Sequence, residues 1–125
     1  MILITGGAYQ GKTAYVMREY GIEEISDGRV CSFEEAKNSR CIGNYEELVR
    51  RLGDNCISFT EELCRSVPDR IIIMREIGCG IVPLEKSERV WRENVGRCGC
   101  IIAANSEKVI RMVCGLPQVI NGETE

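Results

Sequence analysis

Lys12 and Thr13 close the stretch Gly6-Gly7-Ala8-Tyr9-Gln10-Gly11-Lys12-Thr13, which fits G-x-x-x-x-G-K-[ST], the phosphate-binding pattern known as the P-loop. The chemistry it supports is cradling a nucleoside triphosphate. Backbone N–H groups of such a loop, with the free N–H groups of the following helix, converge on the phosphate oxygens. Gly6, Gly7 and Gly11 let the backbone turn tightly and approach the phosphates without a Cβ in the way. Lys12 is expected to reach the β- and γ-phosphates, and the Thr13 hydroxyl to bind Mg²⁺ that accompanies ATP or GTP. Nothing reads the base or the sugar, so the choice between the two donors stays open. All eight residues from Gly6 to Thr13 are nucleotide-binding candidates.

A second candidate is Glu76. It follows the apolar run Ile71-Ile72-Ile73-Met74 with Arg75 between. A carboxylate at a strand end beside a P-loop commonly handles Mg²⁺ or the attacking oxygen, and can take a proton from a substrate hydroxyl. A solvated charge at a strand end is the other reading. Asp54, Glu61 and Glu62 are rivals, but they fall in a turn and on a helix.

Positioning these groups requires a strand before the loop and a helix after it. Met1 to Thr5 reads as a first, buried strand, and Ala14 to Tyr20 as a helix stopped at Gly21. Gly21 to Gly28 reads as a polar loop and Arg29-Val30-Cys31 as a brief extended piece. Ser32-Phe33-Glu34-Glu35 is a capping box opening a short helix. Arg40-Cys41-Ile42 is a weak strand. Tyr45, Leu48, Val49 and Leu52 recur at helical spacing, and Gly53-Asp54-Asn55 is a turn. A second capping box, Ser58 to Glu61, opens a helix to about Ser66, closed by Pro68. Residues 70–74 form the strongest strand, followed by a loop from Gly78 to Pro83. Leu84, Glu88, Trp91, Val95, Cys98 and Ile102 share one face of a long helix to about Asn105. Lys108 to Cys114 is a last strand, ended by Gly115-Leu116-Pro117, and Asn121 to Glu125 a frayed tail.

Strands alternating with helices imply one α/β domain over residues 1–125, with a small, mainly parallel sheet between helices. In such sheets the ligand lies beyond the carboxyl ends of the strands. The P-loop, Gly43-Asn44, Arg75-Glu76 and Gly115 should therefore share one rim.

Composition agrees with a folded domain: 44% hydrophobic and 28% charged. The net charge of −3 carries no basic run, so nucleic acid is not an expected partner. No apolar stretch is long enough to span a bilayer and no leader is evident, so a soluble, cytoplasmic chain without a membrane partner is expected. The 8 cysteines form no C-x-x-C pair and there is no histidine. They read as reduced thiols serving as small core residues, with a metal or redox pair at Cys98/Cys100 as the alternative.

One further group of residues has a specific likeness. Met1 to Ala8 with Gly11-Lys12-Thr13, then Glu76-Ile77-Gly78-Cys79-Gly80-Ile81-Val82-Pro83, then Arg92 with Val95-Gly96-Arg97, resembles the adenosylcobinamide kinase / adenosylcobinamide-phosphate guanylyltransferase family, in the family's order. The similarity covers the first 20 residues or so and residues 70–115. It implies a three-layer P-loop fold of the RecA-like group and a homo-oligomer with active sites near subunit contacts. It also implies two reactions of cobalamin biosynthesis, phosphorylation of the aminopropanol hydroxyl of adenosylcobinamide and transfer of GMP onto that phosphate. By the same resemblance Gly6 to Thr13 bind the nucleotide and Lys12 and Glu76 act in catalysis. Gly78, Gly80 and Pro83 form an active-site loop, and Arg97 lies near it. The family's guanylyl transfer uses a histidine nucleophile, which this chain lacks, and residues 21–69 form a reduced middle. The expected activity is therefore a nucleotide-dependent kinase acting on a cobinamide-type corrinoid, with the guanylyltransferase step lost. The alternatives are a nucleotide-binding remnant of the family without turnover and a kinase for another small hydroxyl substrate.

Overall fold

The computed structural model describes residues 1–8, 10–77 and 85–122. Tyr9 and the predicted loop residues Gly78, Gly80 and Pro83 lie outside the described residues, as does the end of the tail. Among the described residues the order is β1 (Ile2–Gly6), α1 (Lys12–Tyr20), β2 (Ser26–Asp27), α2 (Phe33–Asn38), β3 (Cys41–Gly43), α3 (Tyr45–Leu52), a 3-10 turn (Gly53–Asn55), α4 (Cys56–Ser66), β4 (Ile71–Arg75), α5 (Lys86–Asn105), β5 (Lys108–Val113) and β6 (Leu116–Asn121). The six strands lie in the order β2-β3-β4-β1-β5-β6. All neighbours are parallel except β5 and β6.

β1 is therefore central, flanked by β4 and β5. Its alternate residues divide the core. Leu3, with Ile72, Met74 and Val109, packs against α3, α4 and α5 through Leu48, Leu63, Val95, Cys98 and Ile102. Ile4, with Ile71, Ile73 and Ile110, packs against α1 through Tyr15 and Val16. This is the expected mainly parallel α/β sheet between two helical layers.

Most expected elements form where the pattern puts them. Ser32 Oγ accepts the Glu35 N–H at 3.0 Å and caps α2. Gly21 ends α1 in the left-handed region. Three readings need correction. The extended piece lies at Ser26–Asp27, one turn before Arg29-Val30-Cys31, because those two residues pair in parallel with Ile42 and Gly43. The helix predicted to open at the Ser58 capping box opens at Cys56, with no side-chain cap, since the 3-10 turn before it is already helical; Ser58 Oγ donates instead to Asn55 O at 3.2 Å. Finally, Gly115-Leu116-Pro117 does not end the sheet. Cys114 (φ 51) and Gly115 (φ 78) make a tight turn into β6. Pro117 is tolerated there because β6 is an edge strand.

No helix among the described residues is long and apolar enough to cross a membrane. Cys31, Cys41, Cys56 and Cys98 are buried thiols of the core, as expected. Cys98 and Cys100 do not share a site: Cys98 is buried and Cys100 exposed on α5.

Candidate active site

Parallel pairing brings the carboxyl ends of β1, β3, β4 and β5 to one rim, and the P-loop rises from the middle of it. The backbone there has little room. Gly6 has φ 145, and a Cβ on it would meet Met112 O at 2.6 Å, so only glycine lets β1 leave the sheet beside β5. Gly11 (φ 83) precedes α1, and among the described residues no side chain caps that helix. Its first N–H groups thus point out of the rim beside Lys12 and Thr13, an arrangement that favours an anion.

Lys12 Nζ donates to the Gly7 carbonyl at 2.6 Å and to the Gly6 carbonyl at 3.3 Å, folding its ammonium back over the loop. Burial pushes its pKa below the usual lysine value; the Glu46 carboxylate opposes that fall, Arg75 adds to it, and Glu76 opposes it. Thr13 is exposed on the first turn of α1. Its hydroxyl is a hard oxygen of the kind that suits Mg²⁺; among the described residues no group of three or more carboxylates or thiols is gathered to hold a metal.

Gln10 serves the loop rather than the rim. Its Oε1 accepts the Cys114 N–H at 2.5 Å, and its carbonyl accepts the Gly115 N–H at 3.2 Å. The β5–β6 turn is thereby a buttress for the P-loop.

Glu76 leaves β4 at the rim, as expected, and its N–H donates to the Gly6 carbonyl at 2.8 Å. Its carboxylate is taken up by Arg111 of β5, which donates from Nε at 2.9 Å and Nη2 at 3.2 Å. This forked pair crosses over the end of β1 and engages both carboxylate oxygens. Arg111 was not a sequence candidate; its only signal is a charge inside the apolar run Val109 to Val113.

A second carboxylate was also missed. Glu46, in the first turn of α3, is only 3% exposed. Its Oε1 accepts the Arg75 N–H at 2.8 Å, and its backbone carbonyl accepts the Trp91 Nε1–H of α5 at 2.8 Å. Farther along the rim, Asp27 at the end of β2 is bound by Arg29 at 2.8 Å and Asn44 at 3.0 Å, which hold its carboxyl well below the usual range.

Other candidates lie apart. Arg97 is exposed in the middle of α5, eleven positions after Lys86, or about 16 Å along the axis from the end nearest the rim. Asp54, Glu61 and Glu62 are exposed on the 3-10 turn and α4. A cavity of about 550 Å³, lined by Ile22, Glu35, Ser39 and Arg40 among others, opens at the amino ends of the strands, away from the P-loop.

A family model described as cobinamide kinase / cobinamide phosphate guanyltransferase matches residues 34–120. The matched segment runs from α2 into β6 and contains Glu46, Glu76 and Arg111; the P-loop precedes it, so the loop and the family match are separate lines of evidence. No curated protein matches the chain.

Proposed function

Because the chain belongs to the cobinamide kinase / cobinamide phosphate guanyltransferase family, we propose that it is a nucleoside-triphosphate-dependent kinase that phosphorylates the hydroxyl of a cobinamide-type corrinoid in cobalamin biosynthesis. The observation that carries this reading is the P-loop at the central strand, with Lys12 and the uncapped start of α1 beside Glu76 on one rim. Phosphoryl transfer asks a protein mainly for positioning and for charge on the phosphates.

In this reading the backbone from Gly6 to Thr13 holds the triphosphate of ATP or GTP and Lys12 neutralises its outer phosphates. Thr13 holds Mg²⁺, which supplies charge stabilisation on the phosphates when bound. Glu76 orients the acceptor hydroxyl. Gly78, Gly80 and Pro83 belong to a loop at the site, and a homo-oligomer with active sites near subunit contacts is part of the same proposal. The guanylyltransferase step is lost, because the chain contains 0 histidines to carry the guanylyl group.

A second reading, a nucleotide-binding family member without turnover, has one observation in its favour. Glu76 is forked to Arg111, so both of its carboxylate oxygens are already engaged by a guanidinium rather than open to an acceptor hydroxyl.

The test is to mix the protein with cobinamide, Mg²⁺ and either ATP or GTP, and to look for cobinamide phosphate by mass. Product establishes the kinase and names the donor. Nucleotide binding without product supports the second reading. A Glu76→Gln variant as active as wild type removes Glu76 from the chemistry.

A further inference from the structure

Glu46 is an unexpected residue to bury. Removing a carboxylate from water is costly unless the charge is compensated. Part of the compensation is local: Glu46 lies in the first turn of α3, where the helix dipole favours negative charge. Its Oε1 also accepts the Arg75 N–H at 2.8 Å. A glutamine would accept the same hydrogen bond at lower cost, so that bond alone gives no reason for a charge. The charge acts on Lys12, opposing the fall that burial imposes on its pKa, and on Arg29.

The connections around Glu46 form a continuous path to the P-loop. Arg75, whose N–H it binds, lies opposite Gly6 in the β1–β4 register. The next N–H, that of Glu76, donates to the Gly6 carbonyl, and the same carbonyl receives Lys12 Nζ at 3.3 Å. On its other side the Glu46 carbonyl holds Trp91, and Arg50 lies over the Trp91 ring at 3.6 Å. α3, α5 and the end of β4 are thus tied at one residue.

We infer that Glu46 is a positioning residue of the phosphate site: its buried carboxylate fixes where β4 leaves the sheet and, through the Gly6 carbonyl that the Glu76 N–H and Lys12 Nζ share, sets the direction in which Lys12 and Glu76 project. The inference rests on the proposed triphosphate site and names a residue that neither the P-loop pattern nor the Glu76 segment contains.

The sign of one substitution separates positioning from mere proximity. A bystander carboxylate near a triphosphate repels it, so removing its charge would tighten binding. A positioning carboxylate gives the reverse. Mg·ATP and Mg·GTP binding is measured by calorimetry on wild type, Glu46→Gln, Glu46→Asp, Glu46→Ala and Lys12→Ala, with thermal unfolding of each. Glu46→Gln keeps an acceptor for Arg75 and is expected to unfold within a few degrees of wild type, yet to bind the preferred nucleotide roughly fivefold to tenfold more weakly. Glu46→Asp, which keeps the charge, recovers part of the loss. Glu46→Ala loses both affinity and thermal stability. Unchanged or tighter binding by Glu46→Gln overturns the inference, even if Glu46→Ala is unstable. Lys12→Ala keeps the two failures distinct. If it abolishes binding while Glu46→Gln binds as wild type, the phosphate site stands and the positioning role falls. If Lys12→Ala binds as well as wild type, the phosphate site itself falls and takes the inference with it.

Discussion

Strand β4 has a buried charge at each end, and the two serve different purposes. At its amino end Arg70 is wholly buried. Its guanidinium donates to the carbonyls of Ala36 at 2.8 Å, Ser39 at 2.6 Å and Lys37 at 2.9 Å, and to Ser66 Oγ at 3.2 Å. At the carboxyl end Glu46 receives the Arg75 N–H. Each charge sits at the helix end of opposite polarity, Arg70 at the end of α2 and Glu46 at the start of α3. Arg70 faces oxygens of α2, Ser39 and α4, at the end of the sheet away from the P-loop. Glu46 binds the backbone at the P-loop end, where the next N–H of β4 reaches the Gly6 carbonyl that Lys12 also binds. Burial of a charge therefore does not by itself mark a functional site; what it is connected to decides.

The sharpest way to break that contrast is to remove Arg70. Arg70→Met keeps much of the packed volume but removes the guanidinium from three carbonyls, of which Ala36 keeps the Ser39 N–H. We expect a loss of about 3 kcal/mol or more in unfolding free energy by urea titration. The affinity of the remaining folded protein for Mg·ATP or Mg·GTP should stay within about twofold of wild type, since the damage lies at the far end of β4. A loss below about 1 kcal/mol would show that Arg70 does not hold α2, and a large fall in nucleotide affinity would erase the distinction between the two ends.

This contrast is also where the sequence becomes hard to read. Ile71 to Met74 announce β4 by their own apolar run, and Lys12 announces itself by its spacing from the glycines. Tyr45, Leu48, Val49 and Leu52 mark the buried face of α3, and all four are buried. Glu46 lies beside that face and looks like an ordinary acidic residue near a helix start. Its burial depends on Arg75, 29 positions away. Arg111 depends in the same way on Glu76, 35 positions away. β2 and β6 escaped for a related reason: Ser26–Asp27 has no apolar run, and Pro117 reads as a terminator until its strand is known to be an edge. Local patterns specify elements, whereas pairings that complete a rim come from the tertiary fold.

A smaller effect concerns groups that accept burial by staying neutral. Cys41, paired opposite Ile71 near the amino end of β4, has its thiol pKa pushed up to about 11 by burial. Burial also pushes up the Cys98 thiol and the Tyr45 phenol. In the unfolded chain a thiol loses its proton near pH 9, whereas in the fold Cys41 keeps it to about 11. Between those values the native state binds more protons than the unfolded state, so stability is full below pH 9 and falls as pH rises. Each such thiol can remove up to about 1.4 kcal/mol per pH unit in that window. Thermal unfolding under reducing conditions should show a midpoint that is flat up to about pH 8.5 and declines above 9, less steeply in Cys41→Ala. A flat profile to pH 10.5 would mean that these thiols are not shielded as the fold indicates.

The smallest effect on stability should come from the third charged group at β4, the Glu76–Arg111 fork. Its geometry is better than that of many surface pairs, with Nε and Nη2 at 2.9 and 3.2 Å from the two carboxylate oxygens. Yet the Arg111 side chain is 47% exposed and that of Glu76 29%, so water and salt screen the attraction. Arg111→Met is expected to change unfolding free energy by less than about 1 kcal/mol, and by still less in high salt. Its effect on Glu76 is the more telling measurement. If the fork holds Glu76 in place for an acceptor hydroxyl, Arg111→Met lowers cobinamide phosphorylation at saturating nucleotide. If the fork instead ties up a carboxylate that must be free, the same variant raises it. Either result, on a protein whose stability has barely moved, assigns this exposed pair to the site, as Glu46 is assigned and Arg70 is not. Turnover unchanged by Arg111→Met would leave the fork as a surface pair that bridges β4 and β5 across β1.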